Sequence, residues 1–221
     1  MKKSMMLMVI GLSAMPHVAA MLVKVPKKIV TKFSQANMHN KLLRDALIEK
    51  DVERVDALLK SSENIIIDSR MMMNAASLEM MLVLDKNGSD TKNIIFYGDN
   101  FLQHAMKNLH IDEDLIPYFL GKGLDPNVVD ESGNNLWHKL AGAPYYQINK
   151  SHMETIKNRA RLLHRLGVNV NAKNRYGKYP LDTLDHDIFN AKVHGYPEAI
   201  EVKQELRRII EDIVREEINK A

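Results

Sequence analysis

The chain contains no cysteine, few aromatic residues, no large excess of either charge and no apolar run long enough to cross a bilayer. Each absence excludes something. Without cysteine there is no disulfide, no thiolate nucleophile and no lipid-modified cysteine. With aromatics at 6%, the core must be largely aliphatic, and 14 methionines pack adaptably without supplying chemistry of their own. Basic residues number 31 against 28 acidic ones, so nothing in the balance predicts nucleic-acid binding, which needs a clustered basic face. No Gly-x-Ser-x-Gly, no glycine-rich phosphate loop and no helical histidine pair with an attendant carboxylate is present. The sequence therefore reads as a protein that is not an enzyme and uses no cofactor and no metal.

What is present begins with a segment to be set aside. Lys2 and Lys3 precede an apolar stretch over residues 5–15, interrupted only by Gly11 and Ser13. Pro16-His17-Val18-Ala19-Ala20 follows, with small residues at the positions a signal peptidase reads. A transmembrane helix needs about 20 apolar residues, so this layout predicts a signal peptide over residues 1–20, cleaved after Ala20, and no stable membrane span afterwards. Loss of Lys2 and Lys3 leaves 29 basic against 28 acidic residues, which removes most of the basic character. The expected destination is the periplasm or secretion. Residues 21–40 carry Lys24, Lys27, Lys28 and Lys32 around Pro26 with no clear period, and read as a flexible lead-in.

From Lys41 the pattern is helical. Leu42, Leu43, Ala46 and Leu47 share one face, Lys50-Asp51 interrupts it, and Val52, Val55, Leu58 and Leu59 form a second. The plan of two apolar helices closed by a polar turn recurs, giving units at about 41–66, 67–95, 96–129, 130–173 and 174–219. The turn glycines Gly98, Gly133 and Gly177 lie 35 and 44 residues apart, a spacing that points to a helical repeat array with insertions. The first helix of the second unit is expected at Met71, Met72, Ala75 and Ala76. The fourth unit carries about ten extra residues within 142–150, and 190–197 reads as a similar long connection. A long charged helix from Glu198 closes the chain, with Ile200, Val202, Leu206, Ile209, Ile210 and Ile213 in one stripe.

Residues 133–141 read Gly-Asn-Asn-Leu-Trp-His-Lys-Leu-Ala, and residues 162–172 read Leu-Leu-His-Arg-Leu-Gly-Val-Asn-Val-Asn-Ala. Together they resemble the ankyrin repeat, whose pattern runs Gly-x-Thr-Pro-Leu-His-x-Ala-Ala and later Leu-Leu-x-x-Gly-Ala-Asp-x-Asn. Gly177-Lys178-Tyr179-Pro180-Leu181 is similar to the first part, and residues 120–127 to the second. The resemblance covers roughly residues 40–216 and implies an all-α fold: an ankyrin-like helical repeat solenoid with short hairpin loops between helix pairs, in a divergent, exported bacterial protein. Gly98, Gly133, His138, Gly167, Gly177 and Pro180 are its structural motif residues. Asn100-Phe101 and Asn135-Leu136 stand where the family has Thr-Pro, so those helices are expected to start less rigidly. Gln103 and Asp182 stand at the family's histidine position.

The function implied is non-enzymatic binding of a protein partner by a monomer, through the concave face of loop tips and first helices. Glu131, Arg175 and Tyr176 are candidates on the tips; Tyr145 and Tyr146 are candidates in the insertion, because tyrosine supplies contact area and a polar tip at low entropy cost. Trp137 takes the family's leucine position and is expected in the core. Two alternatives remain open. One is a hydrolase or metal-dependent enzyme built on His and Asp, for which Asp182, Asp185, His186 and Asp187 form the densest cluster; the other is a structural protein that self-associates through an exposed stripe of the last helix. Scattered histidines (His104, His110, His138, His152, His164) argue against the first.

Overall fold

Residues 27–49 contain neither Gly nor Pro, so nothing in them stops a helix once it has started. In the computed structural model they form α1 (Lys27–Glu49), which begins inside the stretch read as a lead-in and corrects that reading for residues 27–40. The structure describes residues 27–61, 67, 71, 77–91, 93, 95 and 98–220. The expected signal peptide, residues 21–26 and most of the first helix expected in the second unit lie outside them; of that helix only Met71 is described, and it is buried.

Lys50 turns the chain with a left-handed backbone (φ 56°), and Asp51 N–H returns to the Ala46 carbonyl at 3.0 Å. Asp51 then accepts from Arg54 N–H, opening α2 (Val52–Ser61). Next come α3 (Leu78–Lys86), capped by Ser77, then α4 (Phe101–Lys107) and α5 (Leu115–Gly121). They are followed by α6 (Leu136–Ala141), two single 3₁₀ turns (Tyr145–Gln147 and Lys150–His152) and α7 (Met153–Arg165). The chain closes with α8 (Pro180–Val193) and α9 (Pro197–Lys220). The described residues contain helices and turns and no strands, so the fold is all-α. None of these helices is long and apolar enough to cross a membrane.

The packing follows chain order. α1 lies on α2, α2 on α3, α4 on both α5 and α6, α6 on α7 and α8, and α9 on α7 and α8. Leu43, Leu47, Met80, Met81, Phe101, Phe119, Trp137, Leu163 and Leu206 all belong to one continuous buried cluster. Trp137 is fully enclosed and donates its indole N–H to the Val168 carbonyl at 2.8 Å, as a buried tryptophan must if its one polar group is to be satisfied.

Two earlier readings change here. α8 runs through Val193, so the connection to α9 is only residues 194–196 rather than 190–197. The stripe on α9 is occupied: Val202, Leu206, Ile210 and Ile213 are buried with Ala199, and Ile200 and Ile209 are half-buried against the same core.

α4 and α6 have seven and six residues, too short to persist alone. Their starts are capped by Asn100 and Asn135, so the positions without Thr-Pro start as firmly bonded helices, contrary to the expectation of looser starts. Asn100 Oδ1 accepts from Gln103 N–H at 3.0 Å, and Gln103 Oε1 accepts in return from Asn100 N–H at 2.9 Å. Their ends are closed from outside. Arg159 on α7 is 1% exposed and donates to the carbonyls of Ala105 (2.5 Å), Asn108 (3.0 Å) and Ile111 (2.9 Å). Lys203 on α9 is fully buried, donates to the Ala141 carbonyl at 2.8 Å and pairs with Asp187 at 2.6 Å. Both cations satisfy carbonyls at a helix C-terminus, where the dipole also favours positive charge. Burial pulls both below their ordinary range, Arg159 to about 10.

Arg159→Met should therefore leave three carbonyls unpaired and destabilise the fold by about 3 kcal/mol. The exposed Arg165→Met on the same helix should stay within about 0.5 kcal/mol. Urea unfolding followed by circular dichroism reads the difference, and equal effects would remove Arg159 from this role.

Candidate functional site

The loop tips at residues 130–134 and 174–178 are built alike. Asp130 Oδ1 accepts from the N–H groups of Ser132 and Asn134, both at 2.8 Å. Asn174 Oδ1 accepts from those of Tyr176 and Lys178, both at 3.0 Å. In each tip the backbone also closes on itself, Asp130 N–H to Asn134 O at 3.0 Å and Asn174 N–H to Lys178 O at 2.9 Å. Gly133 (φ 77°) and Gly177 (φ 71°) make the reversals that side chains with a Cβ rarely adopt.

The two tips are stitched together. Arg175 N–H donates to Ser132 O at 2.9 Å, and Asn174 Nδ2 donates to Asn134 Oδ1 at 2.9 Å. A Cβ on Gly133 would stand 3.0 Å from Arg175 N, so this approach requires glycine for space as well as for φ.

His138 fastens the second tip to α6. In the tautomer with its proton on Nε2, His138 donates to the Lys178 carbonyl at 3.0 Å. Nδ1 is left to accept from Asn135 N–H at 3.3 Å, the role Gln103 fills in α4 and Asp182 fills at the start of α8 (2.8 Å). Burial lowers the His138 pKa from its ordinary value. His104, lowered by burial, and His152, lowered by burial and by His110, share that direction.

Beneath the first tip lies an ion-pair network. Lys139 donates to Asp99 at 2.5 Å and pairs with Asp130 at 2.6 Å, while Lys107 pairs with the other oxygen of Asp99. Burial pushes the Asp130 carboxyl up, but hydrogen bonds from Lys139 and Asn134 outweigh it and hold the group at about 2. Burial likewise pulls the Lys139 ammonium down, and its bonds to Asp130 and Asp99 leave it raised. With Gly98, Glu131 and Ser132, these four residues line a small open cleft.

The candidate contact residues fall into two groups at opposite ends of the short α6. Glu131, Arg175 and Tyr176 are exposed on the two stitched tips, which precede α6 and α8, Tyr176 to 74%. Tyr145 and Tyr146 lie in the 3₁₀ turn after it. Tyr146 is 60% exposed, but Tyr145 is half-buried, its ring packed near His194 (5.9 Å, parallel), Tyr196 (5.3 Å) and Tyr146 (5.7 Å). The insertion thus docks on the α8–α9 turn, and Tyr145 is a packing residue as much as a surface one.

The polar cluster on α8 does not converge. Asp182 caps its own helix, Asp185 pairs with Arg207 at 2.6 Å, Asp187 pairs with Lys203, and His186 accepts from Asn190 at 3.1 Å. Among the described residues no three His, Asp or Glu side chains gather where they could hold a metal ion. An open cleft of about 610 Å³ between α5 and α7 is lined by Glu113, Ile116, Pro117, Asn158, Arg161 and Leu162. Of its polar lining, Asn158 is bonded to Glu113 and Arg161 to Glu154.

Sequence reasoning missed Arg159, Lys203 and the Lys139 network. A signal for the first did exist: Ile156, Arg159, Ala160 and Leu163 form one helical stripe, which puts a guanidinium on the buried face. No protein-family model matches the sequence, and comparison with curated proteins gives no match.

A histidine whose folded pKa lies below its unfolded value of about 6.5 contributes stability above that value and loses it as pH falls through the folded pKa. Stability should therefore drop between about pH 7 and pH 5. His138→Gln, which keeps a capping acceptor as Gln103 does, should cost about 1 kcal/mol at neutral pH and make that drop smaller. Urea midpoints at both pH values test this, and an unchanged drop would exclude His138 as a contributor. Separately, Gly133→Ala should destabilise by about 1–2 kcal/mol through its left-handed φ and its approach to Arg175, read as a lowered melting temperature.

Proposed function

We propose that the chain is a divergent ankyrin-repeat protein that binds a protein partner through the face formed by its loop tips and first helices, without catalysis. The single observation that carries this reading is the register between Gly133 and Gly177 on one side and Arg159 and Lys203 on the other. Each pair is 44 residues apart in sequence. Each glycine closes a tip of the same hydrogen-bonded design, and each cation seals the end of the short helix one unit back, Arg159 that of α4 and Lys203 that of α6. Two dissimilar features repeating at one spacing support successive copies of one structural unit.

Stacked units hold a long face whose exposed residues vary without disturbing the core, which suits recognition of a protein surface. The stitched tips support this role, since a contact surface already ordered loses less entropy on binding. Export by the signal peptide, to the periplasm or beyond the cell, and a monomeric state belong to the same proposal.

The test is a pull-down with residues 21–221 from periplasmic and host-cell extracts, beside a variant carrying Tyr145→Ala, Tyr146→Ala, Arg175→Ala and Tyr176→Ala. Circular dichroism should find both proteins equally helical. A partner held by the native protein and lost from the folded variant is the expected result. Capture of nothing specific by either protein would overturn the proposal, and equal capture by both would move the interface away from these residues.

A further inference from the structure

The loop at residues 173–179 reads Lys-Asn-Arg-Tyr-Gly-Lys-Tyr. Its backbone is held at several points. Asn174 spans the turn with its side chain, Arg175 N–H is tied to Ser132, the Lys178 carbonyl receives His138, and Tyr179 N–H is held by Asp182. Its side chains are free by comparison. Lys173, Arg175 and Lys178 are all exposed and enter no salt bridge among the described residues, and Lys173 Nζ lies 4.9 Å from the Tyr179 ring centre. Tyr176, next to Arg175 in sequence, is 74% exposed.

The charges of α9 behave differently. Arg207 pairs with Asp185 and Glu211, Arg208 with Glu205, and Arg215 with Asp212. That surface is neutralised within the chain, whereas the tip presents three cations that enter no ion pair among the described residues, on a backbone held by hydrogen bonds.

We infer that residues 173–179 are the anchor for an acidic segment of a protein partner. Its carboxylates meet Lys173, Arg175 and Lys178, and an apolar or aromatic side chain packs on Tyr176. This deepens the binding reading above and rests on it. Arg175 offers a planar fork that matches a carboxylate, and charge-assisted bonds of this kind are the strong ones. The field around the loop is mixed: Glu131 is exposed on the facing tip and Asp182 is exposed at the base of the loop. A continuous polyanion such as a nucleic-acid backbone would be repelled by both, whereas separate carboxylates on a peptide can be placed to avoid them.

The experiment pans a phage-displayed library of short random peptides against the full chain and measures the enriched peptides by fluorescence anisotropy. The proteins compared are the native chain, a Lys173→Ser/Arg175→Ser/Lys178→Ser variant and Tyr176→Ala. The replaced side chains are exposed, so all three proteins should give the same circular dichroism. The expected result is enrichment of Asp- and Glu-containing peptides. Their affinity should fall about tenfold in the triple variant, less in Tyr176→Ala, and several-fold between about 50 and 300 mM salt.

Enriched peptides without acidic bias, or acidic peptides that bind the triple variant equally, would overturn the anchor while leaving the binding reading in place. A single-stranded oligonucleotide that binds through the loop and displaces the peptides would overturn the partner class. Absence of any peptide binder would overturn the anchor too, and a pull-down that still captured a partner would show the broader reading surviving it.

Discussion

The ends of two very short helices are the constraint on which the packing of the described residues depends. α4 and α6 are almost wholly buried, and a buried helix end leaves carbonyl and N–H groups that must find partners. With six or seven residues, unpaired end groups are a large share of each helix's backbone. Asn100 and Asn135 satisfy the starts locally, while Arg159 and Lys203 satisfy the finishes from helices more than fifty residues further along the chain. Burying a cation in the interior is unfavourable, and leaving it there unpaired more so. Each is tolerated because it pairs carbonyls left over at or just beyond a helix C-terminus, and Lys203 also meets the Asp187 carboxylate. The arrangement ties each segment to the one before it.

The same dependence reaches the surface. His138 joins the first turn of α6 to the tip that precedes α8, so the position of that tip is inherited from a buried helix rather than set by its own loop. The tip bonds to its neighbour through Arg175 and Asn174, and the network around Lys139 holds the neighbour in turn. A face assembled in this way presents exposed side chains on backbone that no longer has freedom to lose. A recognition surface would gain from that property, because backbone already held loses less entropy on binding, whereas the half-buried Tyr145 packs on the α8–α9 turn.

The polar residues on α8 show how spacing in sequence misleads about chemistry. Asp182, Asp185 and His186 fall three and four positions apart on one side of α8, and Asp187 follows them, yet each is taken by a different neighbour. Proximity along a helix becomes a site only when the side chains converge on a common point, and these turn to separate partners. The apolar stripe of α9 is the converse. Its spacing places it on one face, and that face is covered by α7 and α8, so the exposed stripe that self-association would use is absent from the described part of the helix.

By itself the sequence determined the helical class, most of the helix breaks, the left-handed glycines and the buried place of Trp137. Those features arise within a turn or two of chain: apolar spacing selects a helix, an asparagine caps it, and a glycine admits the positive φ that reverses it. Only the tertiary structure decided that Arg159 and Lys203 enter the core, that Tyr145 packs on the α8–α9 turn, that α8 continues to Val193, and that Lys139 lies between Asp99 and Asp130. The partners in the first, second and last of these stand about 40 or more residues apart or on different elements, except for Asp130 on the adjoining tip. Local periodicity can place a charged residue on the apolar stripe, as it does Arg159, but the partners that make its burial favourable exist only once distant segments have packed.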